Sequence, residues 1–150
     1  MKKSIFILIL TLIGNLTVLA SQSPVRSKHV IISAKQGWQD SGIKLKLGQF
    51  YQIYARGSWI SGYGLPACGP EGSGRGTISD NALVGFIADS KPKKLDYESY
   101  KRDIIDKIVI IRRGGLFKAY RKGTLWLGMG EWSGCEECDG SVEVLIVLYD

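Results

Sequence analysis

The sequence predicts an all-β fold, a jelly-roll-like β-sandwich of about eight antiparallel strands. Apolar and polar residues alternate with a period of two, most clearly over 42–47. Glycine, aspartate, serine and lysine separate short apolar runs along the chain. The chain has 150 residues, and the roughly 130 that follow an N-terminal targeting segment suit one domain with one core.

Eight segments fit a strand pattern because they are short, apolar or alternating, and bounded by turn residues. They are 29–33, 42–47, 50–55, 82–88, 107–111, 116–120, 124–128 and 142–149. The run 82–88 is apolar throughout and is predicted to be a buried strand.

The strand over 42–47 has the clearest predicted faces: Ile43, Leu45 and Leu47 inward, Lys44 and Lys46 outward. A Gly-Gln turn follows at 48–49, so 50–55 is predicted to be the return strand of a hairpin.

Two segments interrupt the strand rhythm. Residues 61–80 hold six glycines. This segment is either a functional loop whose glycines permit close approach of a ligand or a plain surface loop. Residues 91–106 are polar, with a helical turn predicted over 95–105.

Residues 1–20 are predicted to be a signal peptide. Two lysines begin it, a short apolar run follows, and small residues that a signal peptidase accepts precede Ser21. Because the apolar run is short and interrupted, no stable membrane span is predicted. The mature domain is therefore 21–150, exported to the periplasm, the cell surface or the medium.

The charge of the chain is mildly basic. It has 20 lysines and arginines against 14 aspartates and glutamates, and loss of the two signal-peptide lysines leaves 18 basic residues and a net charge of +4. The basic residues form small groups rather than one dense face, so nucleic acid is not predicted as a partner.

Three cysteines in an exported chain predict one disulfide. Cys135 and Cys138 are close enough in sequence to close a small ring and are the predicted pair, although Cys68 can instead bridge to either. A redox role for this Cys-x-x-Cys pair is disfavoured, because the negative charges of an acidic loop destabilise the thiolate form that such a role needs. A zinc site would need Cys68 and His29 as further ligands.

The strongest functional lead is the acidic, glycine-rich loop 128–140 between two predicted strands. A loop dense in carboxylates is where a β-sandwich would hold a ligand or a metal ion. Its candidate residues are Glu131, Trp132, Glu136, Glu137 and Asp139. Trp132 is a candidate for stacking on a sugar. The other tryptophans lie in or beside strands and are predicted to pack in the core or at its rim: Trp38, Trp59 and Trp126.

Short motifs follow one another in an order that resembles a known family. They are WQDSGI at 38–43, LGQ at 47–49, ARGSW at 55–59, YG at 63–64, CGPEG at 68–72, LVGFI at 83–87, GTLWL at 123–127 and GSVEV at 140–144. This ordered set resembles the PA-I-type bacterial galactophilic lectins and their LecA-like relatives. The resemblance covers about 29–148.

The resemblance implies a jelly-roll fold and, in the lectin members, a calcium ion that bridges protein and sugar hydroxyls. It implies that the backbone oxygen of Tyr63 is a calcium ligand and that Gly140-Ser141 ends the second ligand loop. The family's side-chain ligands are mostly not reproduced: Met129-Gly130 stand in place of Asn-Asp, Gly134 in place of Thr, and Glu137-Cys138 in place of paired Asn. Carboxylates nearby can supply oxygens instead, or a Cys135–Cys138 disulfide can hold the loop without metal.

Together these features predict an exported, non-catalytic carbohydrate-binding module with a LecA-like domain. Its predicted sugar site consists of Tyr63, Trp132, Glu131 and Asp139, and its candidate calcium ligands are Tyr63, Glu131, Glu137 and Asp139. The predicted partner is a carbohydrate or glycoconjugate, and association into a homo-oligomer stays open.

Two other functions remain open at this stage. One is an exported structural or protein-interaction module that binds no sugar, because fold alone does not fix function. The other is a glycoside hydrolase that uses two loop carboxylates. No hydrolase, zinc-protease or phosphate-loop motif occurs in the sequence, and the one histidine, His29, begins a strand. Catalysis is therefore not predicted.

Overall fold

The computed structural model describes residues 24–74, 81–92, 107–130 and 135–149. They form eight strands: β1 (Pro24–Ser33), β2 (Gln39–Leu45), β3 (Phe50–Ile60), β4 (Leu83–Ala88), β5 (Val109–Ile110), β6 (Gly114–Lys118), β7 (Gly123–Met129) and β8 (Asp139–Tyr149). Each of the eight predicted segments overlaps one of these strands.

Several predictions fall outside the described residues. They concern the signal peptide at 1–20, the end of the glycine-rich segment at 75–80, the helical turn at 95–105, and Glu131 and Trp132 in the acidic loop. Within the described ranges, no helix is long and apolar enough to cross a membrane.

The strands form two antiparallel sheets of four. Sheet A has the order β1-β8-β3-β6 and sheet B the order β2-β7-β4-β5. The chain passes from one sheet to the other between most successive strands, which is the connectivity of a jelly roll. The predicted fold class is confirmed.

The predicted hairpin over 42–55 is wrong. β2 pairs with β7 in sheet B, whereas β3 pairs with β6 and β8 in sheet A. The turn does form, since the Gln49 amide donates to the Lys46 carbonyl at 3.1 Å, but it carries the chain across the sandwich. Both strands bury alternate apolar residues in the same core, so their alternation fits two facing sheets as well as one hairpin.

The predicted inward orientation of Leu47 is also wrong. Ile43 and Leu45 are buried and the two lysines are exposed, as predicted, but 71% of Leu47 is exposed. β2 ends at Leu45, and the period of two no longer applies once the chain turns.

The inward faces of both sheets form one apolar core, to which β3 and β8 contribute Tyr51, Ile53, Trp59, Val142, Val144 and Ile146. Trp59 is 1% exposed, and its indole Nε1 donates to the Asn81 carbonyl at 2.9 Å. A second cluster of Trp38, Val84 and Phe86, with Trp126 against it, covers the other face of β4. The predictions of a buried strand at 82–88 and of packed tryptophans are confirmed.

Candidate functional site

The end of β3 and the start of β8 lie side by side in sheet A. In their register Ile60 lies opposite Asp139, and Trp59 lies opposite Gly140. The loop that follows β3 and the acidic loop that precedes β8 therefore meet at one end of the sandwich. We call this surface the loop rim and define it by residues 61–65, residues 135–139 and Lys35.

The loop after β3 presents Tyr63 to solvent. Leu65 donates its amide to the Gly62 carbonyl at 3.2 Å, which closes a tight turn. Gly64 has a φ of +74°, as a turn of this kind requires, and a Cβ built on it would meet nothing within 4 Å. The exposed fraction of Tyr63 is 93%, so one aromatic ring stands free at the rim.

The same loop is fastened at its return. Trp59 and Cys68 exchange two backbone hydrogen bonds, each of 2.9 Å. Farther on, the Arg113 guanidinium donates to both carboxylate oxygens of Glu71, with Nε–Oε2 at 2.9 Å and Nη2–Oε1 at 3.0 Å. The hydrogen bonds from Arg113 lower the pKa of Glu71. The carboxylate therefore stays charged and ties the loop to the turn before β6.

A disulfide between Cys135 and Cys138 braces the acidic loop, and the predicted pairing is confirmed. The Cys138 amide donates to the Cys135 carbonyl at 3.2 Å, and the Cys138 side chain is fully buried. Cys135 Sγ lies 3.9 Å from the carbonyl oxygen of Ser61. This contact joins the acidic loop directly to the Tyr63 loop.

Lys35 completes the rim. Its carbonyl accepts a hydrogen bond from the Cys135 amide at 3.2 Å, and its Nζ lies 3.6 Å from Asp139 Oδ1. Both charged groups are largely exposed, so the pair contributes little to stability and is accessible to a ligand. The sequence did not single out Lys35, because a lysine just after a strand carries no signal of its own.

The structure brings together only part of the predicted site. Tyr63, Glu136, Glu137 and Asp139 belong to the two loops that meet at the rim, and all four side chains are exposed. Ser61 also lies at the rim, through the contact of its carbonyl oxygen with Cys135, although the sequence did not indicate it as a site residue. Glu131 and Trp132 lie outside the described residues.

The described residues do not complete a calcium site by themselves. No group of three or more His, Cys, Asp or Glu side chains in the described ranges is placed to hold a metal ion. Calcium takes about six to eight oxygen ligands. Tyr63, Glu137 and Asp139 offer fewer, and Asp139 is already paired with Lys35. Calcium binding stays a prediction that depends on Glu131.

Comparisons with known proteins support the fold. No family model matches the sequence, and no curated protein matches it. Among solved structures, the chain is similar to the N-terminal domain of EclA, described as a PllA-like lectin. The TM-score is 0.55 at 16% identity, over 81% of this chain and 95% of that one. At this identity the likeness shows a shared lectin-like fold.

Proposed function

We propose that this protein is an exported, non-catalytic carbohydrate-binding module that binds sugar at the loop rim. The observation that carries the proposal is the meeting of two loops at one end of the jelly roll, where Tyr63 stands almost fully exposed beside an acidic, disulfide-braced loop. The likeness to a PllA-like lectin domain supports the same class of function.

The chemistry of the rim suits a sugar. A pyranose has one face of C–H groups, which stacks on an aromatic ring, and hydroxyls that pair with fixed donors and acceptors. Tyr63 supplies a ring, Asp139 an acceptor and Lys35 a donor at the same rim. We propose that Trp132 and Glu131, from the acidic loop, add a second ring and a further carboxylate. We also propose that this protein is a divergent relative of the PA-I-type lectins.

The direct test is a glycan array probed with the mature protein, with and without a chelator. We expect a defined set of hexose-bearing glycans to bind. Binding that is lost on chelation would support the calcium prediction, and binding that persists would overturn it. If no glycan binds, the module without sugar binding is the better account.

Catalysis is tested separately, by turnover on a panel of reporter glycosides. We expect none above the buffer blank. Turnover that Glu137→Gln or Asp139→Asn abolishes would replace the proposal with a hydrolase.

A further inference from the structure

The outward face of sheet A carries a groove that the loop rim does not use. Three neighbouring strands place their outward side chains in register across it. One row is His29, Leu145 and Tyr54, from β1, β8 and β3. The next is Ile31, Glu143 and Arg56.

The groove has the size of a small-ligand site. Its volume is about 360 Å³, and its lining includes His29, Tyr54, Arg56, Glu143 and Leu145. Pockets that hold small molecules measure about 300–1,000 Å³. Beyond Tyr54 the residue in register on β6 is Gly114, which has no side chain to cover the Tyr54 ring.

The ion pair in the groove has spare hydrogen-bonding capacity. Arg56 Nε and Nη2 both contact the same oxygen of Glu143, Oε2, at 2.7 Å each. Glu143 Oε1 and Arg56 Nη1 take no part in these two contacts. The pair therefore keeps one acceptor oxygen and one donor nitrogen for the hydroxyls of a ligand.

The charges around the groove cancel in pairs. Arg56 is matched by Glu143, and the nearby Arg113 by Glu71. An anionic ligand would meet no unpaired cation among these four residues, so a neutral ligand fits better. Tyr54 is 51% exposed and offers its ring, while Leu145 offers an apolar floor.

We propose that this groove is a second saccharide site, which takes a neutral pyranose. The sugar packs its C–H face on Tyr54 and Leu145 and directs hydroxyls to Glu143, Arg56 and His29. That the ligand is a sugar rests on the proposed function, but the position of the groove on sheet A does not. Arg56 and Ile60 are four residues apart on β3, which separates the groove from the rim by about 13 Å.

The test is an amide NMR titration of the mature protein with methyl β-D-galactopyranoside and methyl α-D-glucopyranoside. It is run on wild type, on Tyr63→Ala to weaken the rim, and on Tyr54→Ala and Arg56→Met to weaken the groove. Leu116→Ala is the matched control, since Leu116 is an exposed apolar residue of the same sheet on β6. Thermal melts check that every variant is folded.

We expect shifts around 54–56 and 143–145 in wild type and in Tyr63→Ala. Tyr54→Ala and Arg56→Met should raise the Kd for these shifts roughly tenfold, as loss of an anchoring contact does, and Tyr54→Phe should restore it. Leu116→Ala should match wild type.

The outcomes separate the two proposals. Shifts confined to the rim would overturn the second site and leave the proposed function standing. Shifts confined to the groove would support the second site and overturn the rim as the binding surface. No shifts with either sugar, together with a blank glycan array, would overturn both. Concentration-dependent association that Tyr54→Ala abolishes, without sugar-induced shifts, would assign the groove to a second copy of this chain.

Discussion

Gly140 shows how a single residue fixes the geometry of the rim. It lies where the acidic loop becomes β8, with a φ of +87°, and a Cβ built on it would come within 2.6 Å of the Ser58 carbonyl oxygen on β3. The two strands can run this close, and Asp139 can lie opposite Ile60, because no side chain stands between them.

Gly140→Ala should therefore lower the free energy of unfolding, with backbone strain alone costing about 1–3 kcal/mol. The matched control is Gly64→Ala, whose φ of +74° is similar but whose Cβ would meet nothing within 4 Å. Urea unfolding of both variants gives the comparison. Equal losses would mean that the contact with Ser58 is irrelevant and that only the positive φ matters.

Tyr51 gives a second prediction at this scale, because its hydroxyl is buried without a partner among the described residues. Burial raises the pKa of the Tyr51 hydroxyl well above its ordinary value, and the neighbouring Tyr120 raises it further. In the unfolded chain a tyrosine ionises near pH ~10, while folded Tyr51 stays protonated. The stability that this difference contributes is full below that pH and is lost as the pH rises above it.

At pH 7 the free energy of unfolding of Tyr51→Phe should therefore equal that of wild type or exceed it by up to about 1 kcal/mol, because the substitution removes an unpaired buried hydroxyl. Its stability should also fall less steeply on the alkaline side. The measurement is the free energy of unfolding from neutral to alkaline pH for both proteins. Parallel curves would refute the burial argument.

At the scale of elements, the acidic loop depends on its disulfide. Closing so short a ring restricts the unfolded chain and contributes about 2 kcal/mol by the loop-entropy relation. A reducing agent should lower the stability of wild type by about that amount and leave a Cys135→Ala/Cys138→Ala variant unaffected. Chemical unfolding with and without reductant tests this. The prediction fails if wild type is equally stable in both conditions.

The strands themselves could be predicted from the sequence, but their partners could not. Alternation identified β2, and the Gly-Gln turn indicated that β3 follows it, yet neither signal carries information about which strand lies beside which. The hairpin was wrong for that reason. The groove could not be predicted from the sequence for a related reason, since His29, Tyr54 and Glu143 come together only through the register of three strands that are distant in sequence.

For the candidate site, the two loops and the Cys135–Cys138 pair could be predicted because glycine, carboxylate and cysteine density is a local signal. Lys35 could not. Its role arises from the proximity of the β1 end to Cys135 and Asp139, which is a tertiary contact with no trace in the local sequence.

At the scale of the whole molecule, the proposed function presumes export. The basic start and the apolar run predict cleavage after Ala20. N-terminal sequencing of the native protein should therefore read from Ser21. Recovery of Met1 in the protein from its native compartment would refute the prediction.

The central claim is that the loop rim binds sugar. Titration calorimetry with the strongest glycan from the array tests it most directly, on wild type and on Tyr63→Ala, Trp132→Ala, Glu131→Ala and Asp139→Ala. Leu47→Ala is the control, because Leu47 is exposed and precedes the start of β3, roughly 30 Å from the rim end of that strand.

We predict that loss of either aromatic ring, Tyr63 or Trp132, weakens binding by roughly 1–3 kcal/mol. The carboxylate variants should weaken it too, with thermal melts little changed, since exposed charges carry little folding energy. The control should bind as wild type does. Unchanged affinity in all four of these variants, for a glycan that wild type binds, would contradict the account.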